Sequence, residues 1–439
     1  MSASPESGAD GDRAGAHDNA GARSRFDASP GAPLDVLIVG GGPVGLCVGA
    51  LLQRAHATLP RPLRVAVLEP VRPCAPAPDA PLDARVSALS RASERILESA
   101  GAWERIVGPR LQPYERMRVW HRSVSVRSRD VLVFDAADAG EPNLGYIAEN
   151  RLVQVALLDA FERAGGMMLP REIRALKVEA DRVQVETDGG RLSARLVVGA
   201  DGARSTVREA VGLTAQTASY RQTAIVANVS TARPHERTAW QRFLGAGTLA
   251  FLPLADGSSS IVWSADAPQA QALLAASDAG FEREVERQSD DCLGAIRLLT
   301  ERHSFPLQRL AAHRYTVHRC ALAGDAAHVI HPLAGQGLNL GLLDAAALAE
   351  VVIAAQREGE DPGAERALRR YERWRKSETQ VMAAAVDAFD RFLAHGAGPI
   401  AWLAQRGLAW VNRSAEVKRF FIARALGVVG ELPEAARAR

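Results

Sequence analysis

An α/β fold is what this sequence predicts, on three observations. A β-branched run, Asp35-Val36-Leu37-Ile38-Val39, stops at a glycine-rich turn, and a helical pattern leads on to a second buried run, Val65-Ala66-Val67-Leu68. Two later strand-like runs also end on a glycine and an acid before a helix, at Gly199-Ala200-Asp201-Gly202 and at Gly324-Asp325. Between them, Ala224 to Ser264 alternates with period two and reads as an antiparallel sheet set into the α/β frame. Beyond Gly359 the pattern is helical.

The first unit carries the most chemistry. Gly40-Gly41-Gly42-Pro43-Val44-Gly45 fits G-x-G-x-x-G, with Gly40, Gly42 and Gly45 in the three slots. Gly40 permits the tight turn, Gly42 lets backbone approach a pyrophosphate, and Gly45 lets helix and strand pack closely. Free N–H groups at the helix start favour the negative charge. Glu69 ends the second strand, where an acid accepts ribose hydroxyl bonds. Its spacing is a little long, and the Pro60-Arg61-Pro62 loop absorbs the excess. Strand, helix, strand and acid together make a Rossmann-type dinucleotide unit; a chance glycine turn explains the glycines alone and not the rest.

The totals narrow the field. A chain of 439 residues can bury two domain cores, and its formal charge of +2 gives no global field toward nucleic acid. Lysine is nearly absent (Lys177, Lys376, Lys418), and acids match the arginines along the chain. Cys47, Cys74, Cys292 and Cys320 show no paired spacing, which fits a reducing cytoplasm and neither a disulfide scaffold nor structural zinc. No uncharged apolar stretch reaches the ~18 residues a membrane span needs.

In chain order, Met1 to Gly31 is rich in Gly, Ala, Ser and Asp without apolar periodicity, and is expected to be disordered. Its acids argue against a transit peptide. Asp83 to Ser90 leads into a helix that Ser90 or Ser93 could cap, and Arg85 stands where a loop could reach back to a cofactor. An ordinary surface arginine is the other reading. Tyr114 to Val133 alternates as strand, and a helix is expected over Leu152–Ala164. A meander follows over Ile173–Glu179, Arg182–Glu186 and Leu192–Val198, turning at Asp188-Gly189-Gly190. Asp201 reads equally as a local helix cap.

In the inserted sheet, strands are expected at Ile225–Val229, Trp240–Leu244, Leu249–Leu254 and Ile261–Ser264, and Pro268 to Leu299 as helix. Phe243, Phe251 and Trp263 are available either to a core or to a pocket for an aromatic substrate. Further on, Cys320-Ala321-Leu322-Ala323 is a buried strand. Asp325 at its end could bond a polyol, and bare N–H groups from Gly335 to Leu338 suit an electron-rich ring edge. His328 and His331 lack accompanying ligands, so no metal is expected. Arg369 to Lys376 reads as a solvated mixed-charge face, and Val417 to Leu426 as amphipathic, packing on the protein or meeting a membrane or partner.

Taken together, Gly40–Gly45 with Glu69, Gly199–Ser205 and Gly324–Gly341 resemble the flavin monooxygenases of the para-hydroxybenzoate hydroxylase type. Arg85-Val86-Ser87-Ala88-Leu89-Ser90, Tyr146-Ile147-Ala148-Glu149-Asn150 and His331-Pro332-Leu333-Ala334-Gly335-Gln336-Gly337-Leu338-Asn339-Leu340-Gly341 look more closely like the ubiquinone-biosynthesis hydroxylases, the UbiH, UbiI and UbiF group. The resemblance covers roughly Asp35 to Leu426. It implies FAD, bound at its ADP half by Gly40, Gly42, Gly45 and Glu69, with Arg85 and Asn150 in contact. Many relatives carry arginine or glutamine where Asn150 stands. Asp201 and Gly202 match the motif linked to FAD and reduced nicotinamide, Asp325 the one on the ribityl chain. Gly335, Gln336, Gly337, Leu338 and Asn339 would lie against the isoalloxazine.

The resemblance implies an organisation of tail 1–33; FAD-binding domain 34–110 with 148–212 and 302–360; substrate domain 111–147 with 213–301; and C-terminal helices 361–439. It implies NAD(P)H as a transient reductant, since only one complete fingerprint is present, and O₂ attack through a C4a-hydroperoxyflavin on a polyprenylated phenol. A cytoplasmic protein is expected, peripheral at the inner membrane face or part of a ubiquinone-biosynthesis complex. No catalytic base stands out; His328 and Tyr220 are candidates for which a structural role is the stronger reading. Two alternatives stay open: another flavin chemistry, such as a halogenase or lipid reductase, and a non-catalytic flavoprotein assembly subunit. A halogenase would show Trp-x-Trp, and none occurs.

Overall fold

The computed structural model describes residues 33–439, apart from 78, 332–335, 390, 392–405, 408–409 and 439. The N-terminal tail therefore lies outside the described residues, with the expectation of disorder attached to it.

Strand β1 (Leu34–Val39), helix α1 (Pro43–Arg54) and β2 (Val65–Leu68) form the anticipated unit. β3 (Val86–Leu89), α2 (Arg91–Ser99) and α3 (Trp103–Ile106) follow, then β4 (Gln112–Tyr114), β5 (Arg116–His121), β6 (Leu132–Asp135), β7 (Gly145–Glu149), α4 (Asn150–Arg163) and β8 (Met167–Leu169). The meander is β9 (Ile173–Val178), β10 (Val183–Thr187) and β11 (Gly190–Gly199), closed by α5 (Thr206–Ala210). Next come β12 (Ala215–Thr231), β13 (Thr238–Phe243), β14 (Gly247–Pro253), β15 (Ser259–Asp266), α6 (Ala267–Ala275) and α7 (Asp278–Gln288). The rest is β16 (Ile296–Leu298), β17 (His303–Ala312), β18 (Thr316–Val317), β19 (Cys320–Leu322), β20 (His328–Val329), α8 (Gln336–Arg357), α9 (Glu365–Phe389) and α10 (Ala415–Ala425).

An eight-stranded sheet has β19, β11, β1, β2 and β8 side by side and parallel. Every residue of β1 is buried, as a central parallel strand covered on both faces must be. Helix α1 packs over it and α8 packs on α1, and the first core gathers around them. Serines set several helix starts: Ser90 accepts from the Ser93 amide, Ser205 from Arg208 and Ser277 from Gly280.

The second sheet has nine strands, ordered β20-β17-β12-β15-β14-β13-β5-β6 with β16 beside β12. It is mixed, because β5 and β13 run parallel. They come from two separate excursions that enter the sheet in the same direction, so no hairpin joins them. The helix expected over 268–299 gives way to β16 before its end. Its Ile296–Leu298 segment caps the far end of β12 through three backbone partners. Strand β17, unforeseen, is largely exposed in its first half and contains Pro306, so it carries little alternation.

Register decides the fate of the aromatics. Trp263 pairs with Ile225 and Leu249, and Phe251 with Ile261, all on the face covered by Phe281 and Val285 of α7. Phe243 has the opposite parity and packs with Val119, Ile330 and Leu340. Phe251 and Trp263 are thus core residues of the outer face, not a substrate pocket.

Helix α8 is apolar and long enough for a membrane span by composition, yet most of it is buried in this core. The stretch Arg369 to Lys376 on α9 is solvated on one side only: Arg369, Arg370 and Arg373 are exposed, while Tyr371 and Arg375 are buried. Ile422 and Leu426 of the C-terminal stretch are buried too, while Lys418 and Arg424 pair with Asp138 and Glu378. Trp410 and Phe420 point outward, 61% and 58% exposed.

Candidate functional site

The three glycine turns meet at the start of α1. A Cβ on Gly40 (φ +105°) would stand 2.3 Å from the Ala200 carbonyl oxygen, and one on Gly45 would stand 2.1 Å from that of Gly40. These two glycines let the first turn lie against the 199–202 turn. Gly42 faces open space, with nothing within 4 Å of a Cβ. Val44 then touches the other segments: Cβ atoms on Gly324 and Gly341 would lie 3.0 and 2.6 Å from its Cγ2. The β19 turn and the first turns of α8 are therefore packed on the same residue.

Glu69, at the end of β2, accepts from the Gly41 amide at 2.8 Å. The Gly41 carbonyl accepts from Gln154 Nε2 at 2.7 Å. Gln154 is a contact that sequence reasoning missed; its only sequence signal is a polar side chain facing back along α4. Arg85 is exposed, and among the described residues its guanidinium has no partner. Its carbonyl accepts from the Asn150 amide, while Asn150 Oδ1 accepts from the Ser87 hydroxyl at 2.6 Å.

Asp201 acts as a local cap, Oδ2 accepting from Val207 at 3.1 Å, but its buried Oδ1 has no partner among the described residues. Gly202 holds φ +81° beside open space. Arg208, unnoticed in the sequence, donates to Ala203 and Ala326 carbonyls and so joins the second and third turns.

Asp325 is open to solvent on the turn after β19, with protein closely around it. Desolvation there raises its carboxyl pKa; His328 pulls the other way and Asp344 adds to the rise. Gly335 and the side chain of Gln336 lie outside the described residues. Gly337 faces open space, and Leu338 is half-buried. Asn339 is buried and turned into the protein, Oδ1 accepting from Ser90 N at 3.0 Å and Ser93 Oγ at 2.6 Å, Nδ2 donating to Ala88 O at 2.8 Å.

The two base candidates are engaged elsewhere. His328 Nε2 lies 2.5 Å from Asp344 Oδ2. The Tyr220 hydroxyl donates to Asp387 at 2.7 Å, and burial, then that carboxylate, push its pKa well up. His331 Nε2 lies 2.9 Å from Gln222 Oε1.

The donor set suits a dinucleotide with a polyol arm. Open helix N–H groups and an unpartnered arginine meet phosphate charge, and Glu69 and Asp325 can accept hydroxyl bonds. Gly42 and Gly337 leave the cradle that any side chain would fill.

Comparison with known proteins agrees with this chemistry. Residues 33–387 match the FAD binding domain family model. The chain is 40% identical to the ubiquinone hydroxylase UbiL of Rhodospirillum rubrum, over 92% of each chain. It is 34% identical to the 3-demethoxyubiquinol 3-hydroxylase of Escherichia coli, over 90% of this chain and 99% of the relative. In fold it is similar to the p-nitrophenol 4-monooxygenase PnpA of Pseudomonas putida, with TM-score 0.69 and 21% identity over 90% of this chain and 98% of that one.

Proposed function

We propose, since the chain belongs to the FAD binding domain family, that it is an FAD-dependent monooxygenase hydroxylating the aromatic ring of a polyprenylated phenol in ubiquinone biosynthesis. The observation that carries this reading is identity to UbiL across nearly the full length of both chains. FAD, when bound, supplies the activation of O₂ by electrons drawn from NAD(P)H. Gly40, Gly42, Gly45 and Glu69 hold its ADP half, Arg85 and Asn150 flank it, and Asp201, Gly202 and Asp325 line it. Gly337 and Leu338, at the start of α8, meet the ring, while Asn339 is turned inward and ties that start to Ser90 and Ser93. An FAD-binding domain of 34–110, 148–212 and 302–360, a substrate domain of 111–147 and 213–301 and C-terminal helices over 361–439 belong to this proposal, with β17 and β20 lent from 302–360 to the second sheet.

The substrate ring is assigned to the inner face of the nine-stranded sheet. Val119, Gln241, Ala250, Val262 and Val226 form one row across it. This face looks toward α8 and the β3 approach: Ser260 and Asn228 on it bond the carbonyls of Ala84 and Leu82. Apart from Gln241, its side chains are small and apolar, which suits a flat ring and the exclusion of water that the chemistry needs. Neither His328 nor Tyr220 serves as the base. Outward Trp410 and Phe420 give the C-terminal region an amphipathic contact for the membrane in which a polyprenylated substrate dissolves.

Complementation of strains that each lack one ring hydroxylase, with quinone intermediates identified by mass, tests the function. Growth on a quinone-dependent carbon source with a mature quinone supports it. Persistence in every strain of the intermediate at which its own missing step stalls, despite expression of a yellow protein, overturns it.

A further inference from the structure

Asp344 lies on α8 and is completely buried. It receives donors from two other segments. The Gly324 amide donates to Oδ2 at 3.0 Å, and Arg375 Nε of α9 donates to Oδ1 at 2.8 Å. His328 Nε2 closes the cluster on Oδ2. Four residues earlier on α9, one helical turn, the Tyr371 hydroxyl donates to Leu322 O at 2.8 Å. Tyr371 and Arg375 are 0% and 2% exposed. Helix α9 thus reaches the end of β19 directly through Tyr371, and the turn after it through Asp344.

A buried carboxylate with this surrounding is costly unless it is paired, and two apolar side chains would pack here more cheaply. Burial alone would raise the Asp344 pKa, but His328 and Arg375 outweigh it and hold it below the usual carboxylate range. The carboxylate is therefore kept charged beside the one turn that carries Asp325. The same helix holds the β3–α2 approach through Asn339, so α8 registers two cofactor-facing segments from one rigid rod.

We propose that Asp344, charge-balanced by Arg375, is a positioning residue that fixes the Gly324–Asp325 turn against α8 for the flavin, so that α9 sets how tightly FAD is held. This rests on the FAD reading above. Asp325 is the group that meets the cofactor; Asp344 acts through the Gly324 amide and His328.

The test uses full-length protein stripped of flavin and titrated with FAD by flavin fluorescence, with the visible spectrum and midpoint potential of the reloaded protein. Asp344→Asn combined with Arg375→Met removes both charges together. The expected result is a cooperative unfolding curve for the apo-protein, an FAD Kd raised by about tenfold or more, and a shifted flavin band and potential. A folded double variant with wild-type Kd, spectrum and potential overturns the proposal. Should the double variant fail to fold, His328→Gln and His328→Leu decide. Glutamine keeps an N–H near the Nε2 position and should hold wild-type affinity, while leucine should lose it; equal affinities overturn the proposal. Wild-type protein that takes up no FAD sinks the cofactor reading itself, whereas tight wild-type binding with indifferent variants sinks the positioning role alone.

Discussion

Gly45 stands so close to Gly40 that a Cβ would come within 2.1 Å of the Gly40 carbonyl oxygen. Gly42, between them, faces nothing. The two kinds of glycine should respond differently to alanine. Gly45→Ala forces backbone apart and should destabilise the apo-protein by ~1–3 kcal/mol or more. Gly42→Ala should leave apo unfolding unchanged and weaken FAD by about tenfold or more. Thermal unfolding without flavin and an FAD titration separate the two; equal loss of stability in both would contradict the assignment of Gly42 to the cofactor.

Arg85 gives a second expectation. Its exposed guanidinium makes no hydrogen bond or ion pair among the described residues, so Arg85→Ala should not alter apo stability. A charge-assisted hydrogen bond to the cofactor is worth ~1.5–3 kcal/mol, which corresponds to roughly 10–100-fold in Kd. Arg85→Lys should recover part of that. Unchanged FAD affinity in Arg85→Ala would return Arg85 to the ordinary surface.

Acid stability should report on Asp35. This buried carboxylate accepts from Arg61 Nη2 at 2.7 Å and from the Arg64 amide at 2.9 Å. Desolvation raises its pKa, but the bonds from Arg61, Arg64 and Arg195 outweigh it, and the folded value lies below the unfolded one. Its stabilisation is therefore present above the unfolded value of about 3.9 and lost as pH falls through the lowered folded value. Asp35→Asn should lower stability at pH 7 and flatten the fall between about pH 5 and the acid limit. Denaturant midpoints across that range measure it; parallel profiles would refute it.

Phe251 tests the two faces of the second sheet. Buried against α7's side, Phe251→Ala should cost ~3–5 kcal/mol of stability while leaving KM for the phenol unchanged where the variant is folded. Ala250→Leu, one residue along and on the other face, should raise KM with a smaller stability change. The reverse pattern would place the ring on the outer face.

The glycine turns were legible because backbone geometry there admits few residue types. Glu69 at a strand end and the meander from Ile173 were legible for the same local reason. Side-chain partners were not. Asn339 reaches Ser90 and Ser93 across the fold, and no spacing in the sequence announces that pairing. Phe243 and Phe251 looked alike because an alternating pattern shows two faces without saying which is covered. Arg375 sits in a run of charges that carries no sign of its burial; only the placement of Asp344 distinguishes it.

Arg116 pairs with Thr238, and Val197 with Cys320, so both sheets are closed by strands made long after their neighbours. A nascent chain emerging from the ribosome cannot complete either layer early, and must bear the loop-closure entropy before the contacts that offset it exist. Truncation before β17 should accordingly yield no autonomous half-protein but an aggregation-prone intermediate, and in the cell this chain should depend on chaperone holding until its last third has been translated.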